Sequence, residues 1–339
     1  MAEKKTRRAE VARAAGVAES TVSRALSDSH LITEEVKQRV RRVAAELDYT
    51  PNRQAANFAR QRAGTIGLVV PRYTSFAPFS RAYFPTLLDG VVLAAERRGF
   101  FVTIVLDHEH TSLHNLDTLI ASRSLDGFLF AVSPSQYDRY FDLKKRDVAF
   151  VLINNYHEAL SSVDALPEPG MRRAFDHAYQ LGHRRIGYIT GDLGFRNGID
   201  RLLVCKTLAA EFDLAVDIRE GDFSKTSGYR ETARLLDSTS PPSLIMTASD
   251  RAAIGALEAC RDRGIVVPNR LSIIGYDDLH PARDISPKLS TVHQPIEESG
   301  AAAADLLIDI IEGTQKRAGT RWLDTSFVIR ESTGRVAAG

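Results

Sequence analysis

Residues 20–27, STVSRALS, set four hydroxyls and one guanidinium on a segment long enough for two helical turns. Val22 and Leu26 would turn inward, leaving the hydroxyls and Arg24 outward, where such donors suit the phosphates and base edges of a DNA major groove. Other chemistry finds no support. The sequence holds no Walker A loop, no GxGxxG phosphate turn and no GxSxG nucleophile elbow. Cys205 and Cys260, the only cysteines, lack metal or redox spacing and read as packed core thiols in a reducing compartment. His108-Glu109-His110 lacks the i, i+4 histidines of a zinc-protease helix. The expectation is a binding protein with no enzyme activity, no cofactor and no metal.

Holding that segment in place requires neighbouring helices. Residues 9–15 read as one, joined to it by Gly16-Val17, and Gly16 permits the backbone angle of a tight corner between helices. Val11, Ala12 and Ala15 then face Val22 and Leu26. A third helix begins near Thr33, the expected N-cap, with Glu34 and Glu35 in its positive first turn. Val36, Val40, Val43 and Leu47 form one apolar stripe, with Lys37, Arg39, Arg41 and Arg42 off it. Charge follows the same division. Residues 1–62 carry 13 Lys and Arg against 8 Asp and Glu, whereas the other 277 carry 31 against 35. A basic head on a mildly acidic body is the asymmetry of a nucleic-acid binder.

After Gly64 short apolar runs alternate with amphipathic stretches. Strands are expected at Thr65–Val70, Phe101–Leu106, Gly127–Val132, Ala149–Ile153, Arg185–Thr190, Ser243–Thr247 and Leu271–Gly275. Helices such as Thr86–Arg98, Gly170–Leu181, Ala252–Arg263 and Ile296–Glu312 lie between them. This alternation implies parallel sheets in two α/β halves, with a ligand cleft at the strand carboxyl ends. At 44% hydrophobic and 26% charged residues, disorder is excluded. No apolar run approaches the roughly 18 residues of a membrane helix. The N-terminal MAEKKTRRAE has no apolar export region, so the expected location is cytoplasmic.

AGVAESTVSRAL, followed by LDYTPNRQAANFA, resembles the DNA-binding head of the LacI/GalR family of bacterial transcription regulators. LGHRRIGYITG (181–191), SDRAAIGAL (249–257), IIGYDD (273–278) and TVHQP (291–295) are similar to that family's effector-domain signatures. The resemblance implies an N-terminal all-α helix-turn-helix head plus an α/β periplasmic-binding-protein-like effector domain of two parallel-sheet subdomains. The head would span 1–50, a hinge helix 51–62, the effector and dimerisation domain 63–334, and a tail 335–339. Within the effector domain, the N-subdomain would comprise about 63–163 plus 293–322, and the C-subdomain about 164–292 plus 323–334.

The resemblance also assigns residues. Glu19 and Ser20 would discriminate operator bases, Thr21, Ser23 and Arg24 would contact phosphates and bases, and Asn52 and Arg53 the backbone. Phe58 stands where a leucine usually wedges into the minor groove; it could instead pack on its own body domain. Ala18 replaces the usual serine cap and Arg8 a usual apolar residue, predicting a head weaker by about 1 kcal/mol for the missing cap. For the effector pocket the resemblance gives Arg201, Asp250, Asp277, an aromatic Phe223, and Tyr83, Phe84, Asn154 and Gln294 on the walls. Asp277 as a capping acid and Phe223 as plain core are the alternatives. Arg184 and Arg185 precede a strand in the family pattern and are read as structural rather than as a phosphate site.

The implied function is a sequence-specific transcriptional repressor that binds a pseudo-palindromic double-stranded operator as a homodimer and responds to a sugar. A purine- or nucleoside-responsive repressor, or an activator or dual regulator, is the alternative. Only nine residues follow Arg330, too few for a heptad bundle, so a dimer is expected over a tetramer.

Overall fold

The computed structural model describes residues 6–26, 29, 31–49, 62–71, 79, 81–107, 114–132, 137–315 and 319–336. They fall into two compact units, Met1–Gly64 and Thr65–Gly339. In the first, helices α1 (Arg8–Ala15), α2 (Glu19–Leu26) and α3 (Glu34–Glu46) enclose a small core of Val11, Ala12, Ala15, Val22, Ala25, Val40, Val43 and Ala44. Gly16 ends α1 at φ +64°, and its N–H bonds back to the Ala12 and Arg13 carbonyls, the left-handed cap that glycine adopts without strain. Thr33 is the N-cap of α3, but its hydroxyl accepts no bond there. Leu26 is only partly buried, and Ala25 takes the inward place beside Val22. The Thr6 hydroxyl donates to the Leu47 carbonyl at 2.8 Å, tying the start of the head to the end of α3.

The second unit contains two six-stranded sheets. Across the first run β11 (Gly319–Asp324), β5 (Ser161–Leu166), β4 (Phe150–Ile153), β3 (Gly127–Ala131), β1 (Thr65–Pro71) and β2 (Phe101–Asp107). Across the second run β12 (Ser326–Val328), β10 (Ser290–His293), β9 (Ser272–Asp277), β8 (Leu244–Thr247), β6 (Arg185–Ile189) and β7 (Ala215–Arg219). Neighbours are parallel except β10 and β12. Two-residue periodicity sorts the side chains into layers. Ile66, Leu68 and Val70 join Leu129, Val151 and Ile153 under α4 (Tyr83–Arg97) and α12 (Ile296–Glu312). Phe128, Phe130, Phe150 and Leu152 face the other way, against α5 (His114–Ala121) and α6 (Asp138–Lys145). The second sheet is covered likewise, with α7 (Pro167–Gln180) and α8 (Arg196–Glu211) on one face. Helices α9 (Lys225–Leu236), α10 (Asp250–Asp262) and α11 (His280–Asp284) complete it. Helices α4 and α12 meet at two glycines: a Cβ on Gly90 would lie 1.9 Å from the Glu297 carbonyl oxygen, and one on Gly300 2.3 Å from that of Leu87.

The chain crosses between the sheets three times: from β5 into α7 at Leu166-Pro167, from β10 into α12 through Gln294-Pro295, and from β11 into β12 through Thr325. All seven strands expected from the sequence form, within a few residues of their bounds. Five more, β5, β7, β10, β11 and β12, lack an apolar run. β7, β11 and β12 lie at sheet edges, where one side faces solvent and polarity is tolerated. β5 is interior yet carries Ser161, Ser162 and Asp164, all buried.

Candidate effector cavity and DNA-recognition helix

Helix α2 buries Val22 and Ala25 and exposes Glu19, Ser20, Ser23 and Arg24, with Thr21 half-buried. All five residues assigned to DNA contact on this helix therefore share the side turned from the head's core. The Ala18 carbonyl accepts the N–H groups of Thr21 and Val22, but its methyl cannot cap the helix as a hydroxyl would. Arg8, the first residue of α1, places its Nε 2.9 Å from Glu19 Oε2. Asn52, Arg53 and Phe58, with the hinge from 51 to 61, lie outside the described residues.

In the second unit a narrow cavity opens where the crossings converge, lined by Asn154, Asp164, Ala165, Pro167, Asn197, Asp200, Arg201, Tyr276 and Gln294. Two of the crossings supply it directly, Ala165 and Pro167 around the end of β5 and Gln294 after β10. Arg201, almost fully buried, donates to the Ala248 carbonyl at 2.5 Å and to Gln294 Oε1 at 2.7 Å. It also lies 3.6 Å from Asp277 and stacks over the Tyr276 ring at 3.7 Å. Burial works against its charge, and neighbouring Tyr276 and Asp277 outweigh that, so Arg201 stays cationic.

The eight residues assigned to the pocket fall into layers. Asn154, Arg201 and Gln294 line the cavity. Tyr83 accepts a hydrogen bond from Asn154 Nδ2, Asp277 faces Arg201, and the Phe223 ring lies 5.6 Å from the same guanidinium. Asp250 sits deeper, accepting from the Thr291 hydroxyl at 2.6 Å and the Leu279 N–H at 2.9 Å. Phe84 packs in the core of the first subdomain, edge-on to Tyr83. Sequence reasoning missed Asp164, Asn197 and Asp200. An aspartate inside a strand, Asp164 in SSVDAL, was the available signal, because burying it demands a reason.

Burial pushes the Asp164 carboxyl up to about 7, with the Asp200 charge adding to the rise and the Ala165 N–H opposing it. Burial likewise raises Asp200 against the pull of Arg196. Asp250 and Asp277 are both raised by burial, and Asp277 raises Asp250 further. The free thiols Cys205 and Cys260 are buried and pushed up to about 12, which leaves them unreactive.

Residues 9–52 match the family model "Bacterial regulatory proteins, lacI family", and residues 175–333 match "Periplasmic binding protein-like domain". The transcriptional repressor CytR of Escherichia coli (strain K12) is 30% identical over 331 residues, covering 96% of this chain and 95% of CytR. The chain belongs to the lacI family of bacterial regulatory proteins. A solved complex of the transcriptional regulator CelR with cellobiose is 28% identical with a TM-score of 0.74, covering 97% of this chain and all of CelR (100%). The lac repressor dimer bound to operator and an anti-inducer shares the fold at 24% identity and a TM-score of 0.76, covering 98% of this chain and 100% of its own. Within the lacI family, α1 and α2 are the DNA-binding helix-turn-helix, and the two-sheet unit is the effector-binding domain. The relatives named here are transcriptional regulators. Among the described residues no helix is long and apolar enough to cross a membrane.

Proposed function

We propose that this chain is a cytoplasmic, dimeric transcriptional repressor that binds rather than transforms a small effector. The observation that carries the reading is that one chain joins an α2 presenting Ser20, Ser23 and Arg24 outward to a buried polar cavity at the crossings between two subdomains. Two heads related by a two-fold axis would place two α2 helices in successive major grooves of a pseudo-palindrome, with the 51–62 hinges at its centre. Exposed apolar residues support the dimer: Val92 and Leu93 on α4, and Phe101, Ile104 and Leu106 on β2, the neighbouring strand at the end of the sheet. The polar lining of the cavity, with its amides, carboxylates and one guanidinium, suits a small hydroxyl-bearing effector such as a monosaccharide or nucleoside. Such a ligand acts by binding one arrangement of the subdomains better than the other, commonly by about 1–3 kcal/mol.

Selection of bound duplexes from a random library, at one fixed near-physiological salt, tests this. A pseudo-palindrome of about 14–20 base pairs, two half-sites one helical turn apart, is expected. If no motif emerges either alone or with a pool of sugars and nucleosides, the proposal fails.

A further inference from the structure

The cavity is lined by acceptors. Asn154 and Asn197 both line the cavity, Asn154 is 2% exposed, and among the described residues neither Oδ1 has a hydrogen-bond partner. Asp164 is 5% exposed and accepts from the Ala165 N–H at 2.8 Å. Asp200 borders the same space from the opposite subdomain, paired with Arg196 at 3.0 Å. The nearby cations already face acceptors of the protein. Among the described residues Arg201 is the only cation lining the cavity, and it is held by the Ala248 carbonyl, Gln294 and Asp277. The Arg196 guanidinium is divided between Asp200 and the Tyr156 hydroxyl, 2.5 Å away. A ligand that supplies donors finds partners here, whereas an anionic group would meet Asp200 and, once ionised, Asp164, against one lining cation whose charge already faces Asp277.

We propose that the cavity takes a ligand bearing adjacent hydroxyl or amino donors and no carboxylate or phosphate, with Asp164 and Asp200 enforcing that choice from opposite subdomains. This rests on the reading of the cavity as the effector site. Because the two carboxylates repel across the space between subdomains, a donor-bearing ligand that bridges them favours the closed arrangement, which is the differential affinity that effector action requires. Hydroxyls and ammonium groups share this chemistry, and matched ligands separate them.

The experiment uses the full chain and matched probes: glucose, glucosamine, glucuronate and glucose 6-phosphate, then ribose with ribose 5-phosphate, and adenosine with its 5′-monophosphate. Affinities come from titration calorimetry, with thermal shift as a screen. A neutral or amino member of at least one set should bind, with its anionic counterparts weaker by about tenfold or more, as expected when like charges face each other. A stronger amino member would mark charge recognition, and equal affinities hydroxyl recognition; both agree with the proposal. Asp164→Asn and Asp200→Asn, each nearly isosteric, should narrow the gap between neutral and anionic members by about tenfold. An anionic member that binds the unaltered protein as well as its neutral counterpart overturns the proposal. So does a gap that neither substitution changes. If no probe binds at all, the effector reading itself falls, an outcome separate from anion binding.

Discussion

Arg201 is the residue whose removal tests most of this architecture at once. Replacing it with methionine keeps apolar bulk against Tyr276 but removes the donors held by the Ala248 carbonyl and Gln294 Oε1, each stranded at about 1–3 kcal/mol. It also strands Asp277, and breaking one side of a buried ion pair typically destabilises by about 3–5 kcal/mol. These effects overlap, so about 3–5 kcal/mol is expected in all at alkaline pH. At roughly 2 °C per kcal/mol for a domain this large, melting should fall by about 6–10 °C at pH 8.

The pH dependence carries a sign. Burial raises Asp277 even with Arg201 present, and without the guanidinium it must rise further. A carboxyl whose folded pKa exceeds its unfolded value binds more protons when folded, so stability falls as pH climbs between the two. The methionine variant should therefore lose more at pH 8 than at pH 5.5, and Arg201→Met/Asp277→Asn should remove that difference. The assay is melting of the full chain by circular dichroism at both pH values. A drop under about 2 °C at pH 8, or a larger drop at pH 5.5, would refute the assignment of Arg201 as the guarantor of a buried carboxylate.

Further substitutions probe the other layers. Gly300→Ala drives a methyl into the Leu87 carbonyl and should destabilise by about 1–3 kcal/mol in urea unfolding; an unchanged midpoint would mean that α4 and α12 are not packed so closely. Burial favours a protonated Asp278, but hydrogen bonds from His293 and Arg330 outweigh it and hold the carboxyl at about 2. That stabilisation is present above the unfolded value near 4 and lost as pH falls toward 2, so Arg330→Ala should move the acid-unfolding midpoint upward, and an unmoved midpoint contradicts it. Arg24→Ala should weaken operator binding about tenfold or more and lower the salt slope by about one, leaving effector affinity intact. Leu93→Lys with Ile104→Lys should yield monomers in sedimentation; persistent dimers would place the interface elsewhere.

What the sequence discloses follows from the range of the forces involved. The head is legible because helix periodicity is local: Val11, Ala15, Val22, Val40 and Val43 recur at helical spacing, and Gly16 marks the corner. Runs such as Ile66–Val70 and Phe128–Ala131 are legible because a sheet covered on both faces needs apolar residues throughout. β5 breaks that pattern at Asp164, and its polarity makes sense only once Asp200 and Asn197, distant in sequence, are seen across the same cavity. Read locally, Asp200 is the i+4 partner of Arg196, an ordinary helix pair. The Arg8–Glu19 pair, eleven residues apart across the corner, is equally silent in sequence. Motif resemblance brings in Arg201 but not its engagement with Ala248, Gln294 and Asp277, and that engagement decides the ligand chemistry. An arginine with no carboxylate beside it would welcome an anion, whereas one whose charge already faces Asp277 leaves Asp164 and Asp200 to set the charge of whatever binds.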